Sequence, residues 1–252
     1  MVSSGESVIE QIWRYPVKSL RGEQVESSAV DARGLLGDRL WAVRDAEGRL
    51  GSGKNSRRFR RFPGPALLSL SARYPVEPAP GPDGIAPPLV VAADGREFSV
   101  ADGSADRHFR AQSGDPTLSV AREAAVSHFD EEPISLIGTA TLRWVEERLP
   151  GVATDARRFR PNLVVRTAEP FAEEAWVGRT VRVGSRDDAV DLVFSHVLVR
   201  CVMTVSAQAD LPEASGMLKL LARRADQPLR VAVVGAVAKA GVVRRGDVVQ
   251  VD

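Results

Sequence analysis

Short segments of β-forming residues, each closed by proline or glycine, recur along most of this chain. Residues 8–15 end at a proline, and residues 40–45 end at the turn Ala46-Glu47-Gly48. Residues 75–88 contain six of the sixteen prolines, which excludes a central strand there. Strands this short, separated by turns about 8 to 12 residues apart, predict a barrel or a sandwich.

The rest of the chain extends this β pattern and adds two helices. Further strands are predicted at residues 25–30, 67–74, 89–91, 97–100, 162–165, 181–183, 190–204, 231–237 and 247–251. The apolar period predicts a helix over residues 135–149, and a short helix is expected around residues 217–224. The fold class is therefore mostly β with flanking helices (α+β), without the βαβ alternation of a doubly wound sheet. The second half begins near residue 116, which predicts two domains, residues 1–115 and 116–252.

The charge balance and the cysteine count narrow the class of protein. Lys+Arg 34 against Asp+Glu 33 leaves a net charge of +1, which gives no indication of nucleic acid or a membrane surface as a partner. No apolar run approaches the roughly 18 residues of a membrane span, and residues 1–7 lack a signal-peptide pattern. One cysteine cannot form an intrachain disulfide or hold an iron–sulfur cluster. A cytoplasmic, reducing setting is expected.

The single cysteine, Cys201, lies in a β-branched, apolar stretch, residues 197–204, beside Arg200. One interpretation is a small core hydrophobe. The other is a thiolate ligand or nucleophile next to a positive charge. His196 lies five residues earlier, so on an unbroken strand the two side chains would face opposite sides. A Cys–His pair is therefore not expected, and His196 is interpreted as a hydrogen-bonded structural residue.

Two charged clusters also admit two interpretations each. Asp130-Glu131-Glu132-Pro133 precedes the predicted helix, where acids complement a helix N-terminus, or one carboxylate could face an active site. Arg157-Arg158-Phe159-Arg160-Pro161-Asn162 enters a strand. Its arginines could clamp a phosphate, or the segment could be a solvated charged turn.

A third basic segment resembles a nucleotide-binding loop only in part. Residues 48–55 nearly fit the P-loop pattern, but Asn55 occupies the position of the magnesium-binding hydroxyl. A nucleotide-hydrolysing P-loop is therefore not expected. A flexible basic loop near an anionic ligand and a plain solvated loop remain as alternatives.

Taken in order, the motifs of this chain resemble the signatures of the MOSC family and of its N-terminal β-barrel domain. The matching segments are Ile12-Trp13-Arg14-Tyr15-Pro16-Val17-Lys18-Ser19, Gly37-Asp38-Arg39-Leu40-Trp41, Phe159-Arg160-Pro161-Asn162, Arg200-Cys201-Val202-Met203-Thr204 and Gly246-Asp247-Val248-Val249. The family includes mitochondrial amidoxime-reducing enzymes, bacterial YcbX-like proteins and the C-terminal domains of molybdenum-cofactor sulfurases. The resemblance implies an N-terminal β-barrel-like domain over residues 1–115, a MOSC β-barrel over residues 116–252, and a bound molybdenum cofactor.

The resemblance also implies roles for individual residues. Cys201 matches the cysteine that ligates molybdenum in the reducing members, and a soft thiolate suits that metal. Asp130 matches an acid near the metal and would relay a proton, with Glu131 as the fallback. The residues implied to bind the cofactor are Lys18, Ser19, Arg39, Arg160, Asn162 and Arg200. On a regular strand, however, Arg200 would point away from the side that Cys201 faces.

Departures from the family bear on the substrate pocket. The chain reads Thr204-Val205-Ser206-Ala207 after the cysteine, and residues 231–235 replace an aromatic-rich strand. Neither a cysteine-rich ferredoxin domain like that of the YcbX-like proteins nor a pyridoxal-phosphate domain like that of the sulfurases is expected for it. Neither a pyridoxal phosphate site nor an iron–sulfur cluster is expected here.

These implications lead to a first functional hypothesis and two alternatives. The first is a molybdenum-cofactor oxidoreductase that transfers an oxygen atom, for example in the reduction of a small N-hydroxylated substrate. Its electrons would come from a separate ferredoxin-like protein, cytochrome b5-like protein or flavin reductase. The second is a non-catalytic carrier of the cofactor, or of sulfur held on Cys201. The third is a MOSC fold that has lost its cofactor.

Overall fold

The β-forming segments become eighteen strands in the computed structural model, which describes residues 6–62, 67–81 and 84–252. Three α-helices accompany them in these ranges, so the predicted mostly-β class is confirmed. Residues 1–5 of the polar start, and residues 82–83 of the predicted proline-rich loop, lie outside the described residues.

The elements follow one another as short strands with few helices. In the first half they are β1 Ile9–Arg14, β2 Glu23–Val25, β3 Ser27–Asp31, β4 Gly34–Leu35, β5 Trp41–Arg44, β6 Leu50–Ser52, β7 Phe59–Arg61, β8 Ser71–Arg73, β9 Leu89–Val91, β10 Glu97–Ser99 and α1 Ser104–Ser113. In the second half they are β11 Ser119–Arg122, β12 Ile134–Gly138, α2 Thr139–Arg148, β13 Leu163–Val165, β14 Thr180–Val183, β15 Val190–Val199, α3 Met217–Ala222, β16 Arg230–Lys239, β17 Gly241–Arg244 and β18 Val249–Val251. Short 3-10 helices span Ala156–Arg158, Ala172–Trp176 and Val202–Thr204.

An eight-stranded sheet in the order β18-β14-β15-β16-β12-β13-β1-β2 carries the larger core. All neighbours in it are antiparallel except β12 and β13, which are parallel. The strands pack a cluster of buried aliphatic side chains that includes Ile12, Leu136, Leu163, Leu192 and Val233. The strands β1 and β2 from the start of the chain thus share one core with the second half.

The barrels expected from the sequence are open sheets. Among the described residues, one isolated bridge, Val8 with Val248, links the region of β1 to the segment before β18. The amide of Ile9 donates to the carbonyl of Asp247 at 2.9 Å, and the amides of Gly246 and Val249 donate to the carbonyls of Ile9 and Ser7, both at 2.8 Å. These bonds join the two segments, but β18 and β1 do not pair as strands, so the sheet does not close into a barrel.

Three smaller sheets build the remaining framework, in the orders β10-β9-β8, β11-β5-β6-β7 and β17-β3-β4. A second core lies among them, with Leu20, Trp41, Leu70, Phe109 and Leu118. Since β11 pairs with β5 and β17 pairs with β3, strands of both halves meet in these sheets. The domain boundary at residue 115 stays a prediction.

The predicted helix over residues 135–149 is wrong in its first four residues. Ile134–Gly138 form β12, every residue of which is buried between β16 and β13, and α2 begins only at Thr139. A short apolar run in the middle of a sheet has no periodicity that separates it from a buried helix. Because β13 is parallel to β12, the two strands and α2 between them form one βαβ unit. A single unit is not the repeated βαβ alternation of a doubly wound sheet, which was not expected. The acids of residues 130–132 consequently precede a strand, so they do not complement a helix N-terminus.

The predicted strand over residues 190–204 ends five residues early. β15 stops at Val199, and Val202–Thr204 form a 3-10 helix that Cys201 caps. Arg200 and Cys201 therefore lie in a turn, and the alternation argument that separated their side chains does not apply. The short helix expected around residues 217–224 is present as α3. In the described ranges, none of the helices has the length and apolar character to cross a bilayer.

Candidate functional site

A cleft of about 140 Å³ lies where the turn after β15 meets loops from both halves of the chain. All nine residues that the sequence predicted for the site line it: Lys18, Ser19, Arg39, Asp130, Glu131, Arg160, Asn162, Arg200 and Cys201. The cleft wall carries six cationic side chains and three carboxylates, since Lys54, Arg158 and Glu132 also line it. A surplus of positive charge in a partly enclosed space favours an anionic ligand.

Lys18 brings one of these charges into the protein interior. It follows β1, is 6% exposed, and donates from Nζ to Asp130 Oδ1 at 2.7 Å. Burial lowers the pKa of Lys18 to about 8, although Asp130 counteracts this. Desolvation raises the pKa of Asp130, but the charges of Lys18, Lys54 and Arg39 outweigh it and lower that pKa overall. Asp130 is thus held as a carboxylate between lysines.

Two arginines from different loops pack against the ring of one buried tyrosine. The guanidinium of Arg39 lies 4.7 Å and that of Arg160 lies 4.3 Å from the centre of the Tyr15 ring. Arg39 donates to the Asp38 carboxylate and to the carbonyl of Arg160, the latter at 3.1 Å. Burial lowers the pKa of Arg160 to about 10. Cation–π contacts and fixed hydrogen bonds therefore hold two positive charges side by side.

Three of the predicted cofactor-binding residues have a left-handed backbone. Ser19, Arg39 and Arg160 have φ of 67°, 49° and 52°, and they make up half of the six non-glycine residues with positive φ in the described ranges. Such conformations are unfavourable for side chains with a Cβ and concentrate at ligand sites. The backbone strain at this cleft is consistent with a binding role.

The side chain of Asn162 is hydrogen-bonded to two strands, β1 and β12, and is therefore not free to move in the cleft. It is 1% exposed, its Oδ1 accepts from the Ser135 amide and hydroxyl at 3.1 and 3.2 Å, and its Nδ2 donates to the Trp13 carbonyl at 3.3 Å. These bonds tie β1, β12 and the loop before β13 together. Asn162 thereby fixes the loop that presents Arg160.

The backbone carbonyl of Arg39 is hydrogen-bonded to the ring of His128, a residue that no sequence pattern pointed to. The ring is buried, and burial together with the charge of Arg44 lowers the pKa of His128 to about 4. Arg44 can only donate, so its bond of 2.6 Å to Nε2 places the ring proton on Nδ1. Nδ1 then donates to the Arg39 carbonyl at 3.0 Å.

Cys201 has an exposed side chain at the mouth of the cleft, so the interpretation as a core residue is wrong. Its carbonyl accepts from the Thr204 amide and hydroxyl at 3.1 and 2.9 Å, which fixes the turn. The neighbouring Arg200 donates to the Phe159 carbonyl, and burial lowers its pKa to about 10. The turn therefore sets a thiol and a guanidinium on the same cleft wall.

Two buried guanidinium groups at the cleft have nitrogen atoms without a hydrogen-bond partner in the part of the chain that the structure describes. Arg158 donates to the carbonyls of Ala153 and Pro212 at 2.8 and 2.7 Å, while its buried Nη1 makes no bond among the described residues. The Nε atom of Arg200 is likewise buried and makes no hydrogen bond among the described residues. Buried donors are normally satisfied, so an acceptor supplied by a ligand would complete both groups.

Glu131, the neighbour of Asp130 in the sequence, pairs with a histidine. Its Oε2 is hydrogen-bonded to His196 Nε2, and His196 Nδ1 lies 2.9 Å from the hydroxyl of Ser195. The expectation that His196 is hydrogen-bonded is confirmed, but its partner is a residue of the cleft.

Sequence reasoning missed several lining residues. They are Ser52, Lys54, Phe129, Glu132, Ser135, Arg158, Phe159, Leu198, Val199, Met203, Thr204 and Val234. The signal for Lys54 was the glycine-rich basic loop, whose two interpretations the sequence left open. Lys54 lies 3.8 Å from Asp130 and 4.5 Å from the centre of the Phe59 ring. Arg158 and Glu132 belong to the two charged clusters whose interpretation the sequence left open, whereas no signal distinguished Ser135 from a structural residue.

In the described part of the chain, no three His, Cys, Asp or Glu side chains are grouped as a protein-made metal site. A metal bound by Cys201 would need its other ligands from a cofactor or from solvent. The donor set of one soft thiolate surrounded by cations therefore fits a metal carried by an anionic organic ligand.

Comparison with family models identifies both parts of the chain. The model described as MOSC domain matches residues 109–250, and the model described as MOSC N-terminal beta barrel domain matches residues 6–76. The first match alone covers more than half of the chain.

Known proteins resemble the chain at low identity. It is 26% identical to mitochondrial amidoxime-reducing component 1 of Mus musculus, over 78% of this chain and 64% of that protein. It is 23% identical to mitochondrial amidoxime reducing component 2 of Bos taurus, over 78% of this chain and 65% of that protein. The chain thus spans just under two thirds of the length of these relatives. The crystal structure of the YUAD protein from Bacillus subtilis superposes with a TM-score of 0.50 at 14% identity, covering 97% of this chain and 94% of that one, which supports the fold alone.

Proposed function

Because this chain belongs to the MOSC domain family, we propose that it is a molybdenum-cofactor-dependent oxidoreductase that removes oxygen from small N-hydroxylated compounds. The observation that carries the proposal is the placement of the exposed Cys201 thiol in the same cleft as six cationic side chains. A thiolate suits molybdenum, and the cations suit the phosphate of a pterin. The mammalian relatives are named for the reduction of amidoximes.

The residues of the cleft fit such a group. The unpaired N–H atoms of Arg158 and Arg200 would find acceptors in phosphate or pterin oxygens. Lys18, Ser19, Arg39 and Arg160 approach from loops whose backbones are held in place, and three of these four residues carry the strain of a left-handed φ. Preorganised donors of this kind lose little entropy when an anion binds. The cationic wall would therefore hold the organic part of the cofactor, and Cys201 would ligate the metal.

The reaction consumes two electrons and two protons. For a hydroxylamine-type substrate it reads R–NHOH + 2 e⁻ + 2 H⁺ → R–NH₂ + H₂O, in which the N–O bond breaks and the oxygen leaves as water. When bound, the cofactor supplies the two-electron redox chemistry. The chain itself would hold the cofactor with its cations, supply the thiolate, and bring protons to the cleft. Asp130 was predicted to relay a proton, and its ion pair with Lys18 gives it a second role in neutralising that buried charge.

The remaining parts of the proposal concern partners and setting. The electrons would come from a separate protein, either ferredoxin-like, cytochrome b5-like or a flavin reductase, since a cluster held by cysteines is impossible with one thiol. We place this reaction in the cytoplasm, where a lone exposed thiol stays reduced.

Exposure of the Cys201 side chain also favours a second candidate function, a carrier of the cofactor or of sulfur. A carrier must present its cargo to another protein, which a thiol at the mouth of a cleft can do. This candidate predicts bound molybdenum or thiol-held sulfur without turnover.

One experiment separates these functions. The protein is purified from a host that makes the cofactor, its molybdenum content is measured, and reduction of benzamidoxime is followed with reduced methyl viologen as the electron donor. The oxidoreductase predicts bound metal and turnover that Cys201→Ser abolishes. Metal without turnover supports the carrier. Molybdenum below about one tenth of an equivalent per chain, with no sulfur held on Cys201, would contradict both and leave the family fold without its cofactor.

A further inference from the structure

We propose that His196 and Glu131 form the proton-entry path of the cleft. Glu131 gives a proton to the reacting substrate, and His196 returns a proton to Glu131 from solvent. The inference rests on the proposed function, because it assigns the route of the protons that the reduction consumes.

The pair spans the wall between solvent and cleft. Glu131 lines the cleft together with Cys201, and its Oε2 is hydrogen-bonded to Nε2 of His196. Both side chains are about half exposed, Glu131 at 42% and His196 at 46%, and of the two only Glu131 lines the cleft. A bond between a carboxylate oxygen and an imidazole nitrogen requires a proton on one of the two atoms. The contact therefore holds a proton that either partner can carry.

Ser195 determines which proton of His196 can move. Its hydroxyl donates to the Val234 carbonyl at 3.1 Å, so its oxygen is left to accept from Nδ1 of His196 at 2.9 Å. Nδ1 keeps its proton in this arrangement. The exchangeable proton of the ring is then the one on Nε2, which passes to Glu131. Once Glu131 has given this proton to the substrate, the bare Nε2 of the half-exposed ring takes the next proton from water.

A β-bulge in β15 brings His196 to this position. Phe194 pairs with Gly235 and His196 pairs with Val234, so Ser195 is an extra residue on its strand. On a regular strand His196 would share the face of Phe194, which is fully buried. The bulge turns both Ser195 and His196 outward instead. Bulges that redirect one side chain are frequent next to active sites.

The opposite strand is adapted to the bulge at Gly235. A Cβ at this position would lie 2.1 Å from the Val193 carbonyl oxygen and 2.5 Å from the Phe194 Cα. Only glycine permits this close approach of the two backbones. The bulge is therefore a specific feature of both strands.

Asp130 is less suited to proton transfer than its neighbour. Its two oxygens lie 2.7 Å from Lys18 Nζ and 3.8 Å from Lys54 Nζ, so protonation would leave the buried charge of Lys18 without its partner. Glu131 loses no lysine pair when it is protonated.

The kinetic test uses Glu131→Gln and His196→Ala in the molybdenum-loaded protein, with benzamidoxime as substrate and reduced methyl viologen as donor. Each variant should lower kcat by about 100-fold, with KM and molybdenum content unchanged. The double variant should be no slower than the slower single variant, because both residues act in one path. Added imidazole should restore turnover in His196→Ala but not in Glu131→Gln. The control is Glu146→Gln on the exposed side of α2, which should keep the wild-type kcat.

A second measurement tests the contact without turnover. The chain has three histidines, so the ¹⁵N resonances of His196 can be assigned from their loss in His196→Ala. Glu131→Gln should shift the Nε2 resonance of His196 and leave those of His108 and His128 in place. An unchanged Nε2 resonance overturns the inference.

The two proposals can fail separately. An active wild type together with wild-type kcat in both variants overturns the proton path alone. A wild type that contains molybdenum but reduces no N-hydroxylated compound overturns the proposed function, and the proton path with it.

Discussion

Lys18 and Asp130 are 112 positions apart in the sequence and form an ion pair of 2.7 Å across the candidate cofactor cleft. The lysine is almost fully buried, whereas the aspartate is half exposed. Burial outweighs the partner, because the pKa of Lys18 falls from 10.5 to about 8. At neutral pH this corresponds to about 3 kcal/mol of destabilisation of the folded state. The chain therefore retains a buried charge that weakens its fold.

Replacement of this lysine should stabilise the protein and impair binding. Lys18→Met removes the buried charge and keeps an apolar stem, so we expect the free energy of unfolding at pH 7 to rise by up to about 3 kcal/mol. Molybdenum content after expression in a cofactor-competent host should fall. Urea denaturation and metal analysis on the same preparation test both effects.

The pH dependence provides an internal check on this prediction. The unfolded state binds the Lys18 proton more tightly, so wild-type stability should rise between pH 8 and 10.5, and that slope should be absent in Lys18→Met. The matched control is Lys54→Met at the more exposed lysine near the same aspartate, with a change within about 0.5 kcal/mol. A Lys18→Met protein that is less stable than wild type would contradict the account of a costly buried charge.

The candidate site was predictable mainly through the resemblance to the MOSC family, which implied all nine residues, whereas residue chemistry alone left two interpretations open for Cys201 and for each charged cluster. The mostly-β class was accessible directly, since prolines and glycines limit the length of each strand. The secondary-structure predictions were wrong where pairing with strands distant in the sequence decides the local conformation. Residues 134–138 are a strand because β13 and β16 flank them, and neither neighbour is visible in a local apolar pattern. The end of β15 at Val199 likewise depends on the turn that presents Cys201.

Supporting residues were less predictable than the residues they support. His128 contacts Arg39 only because the turn before β5 and the segment before β12 meet in space. A single histidine in the sequence gives no indication of this contact between distant segments. The Glu131–His196 contact depends in addition on a bulge, which shifts the strand period by one residue and reverses the face expected for His196.

The His128 ring should make the fold sensitive to acid. Its pKa in the folded protein is about 4, below the value of 6.5 for a free histidine. Stability from the neutral ring is complete above pH 6.5 and is lost as the pH falls toward 4, with a total of about 3 kcal/mol. His128→Asn keeps a donor near the Arg39 carbonyl but does not titrate. Its free energy of unfolding, measured in urea at pH 7 and pH 4.5, should decrease less than that of wild type, whereas equal decreases would assign the acid sensitivity to other groups.

Arg158 should contribute to anion binding before any cofactor is present. Arg158 lines the cleft and its Nη1 has no hydrogen-bond partner among the described residues, so inorganic phosphate should raise the melting temperature of metal-free protein relative to chloride at equal ionic strength. At ten times the Kd the gain is about 1.4 kcal/mol. Arg158→Gln should lose most of this gain, and should also lower basal stability by about 2 to 4 kcal/mol because the carbonyls of Ala153 and Pro212 lose their donor.

The neighbouring arginine provides the matched control for this effect. Arg157 does not line the cleft and forms ion pairs with Asp155 and Asp210. Arg157→Gln should therefore keep the phosphate-dependent shift in melting temperature. Equal shifts in wild type and Arg158→Gln would remove Arg158 from the anion site.

Cys201 should report on cofactor binding through its reactivity. It is the single cysteine of the chain and its side chain is exposed, so metal-free protein should release one equivalent of chromophore from a disulfide reagent such as DTNB. If the thiolate ligates the metal, the molybdenum-loaded protein should react at least about ten-fold more slowly, because the thiolate is no longer free to attack. Phosphate alone should not protect the thiol, which separates ligation from occupancy of the cationic wall.

The Cys201→Ser variant provides the baseline without a thiol. Equal reaction rates in loaded and metal-free protein would show that the metal is held without Cys201, while the cationic residues of the cleft could still bind the pterin.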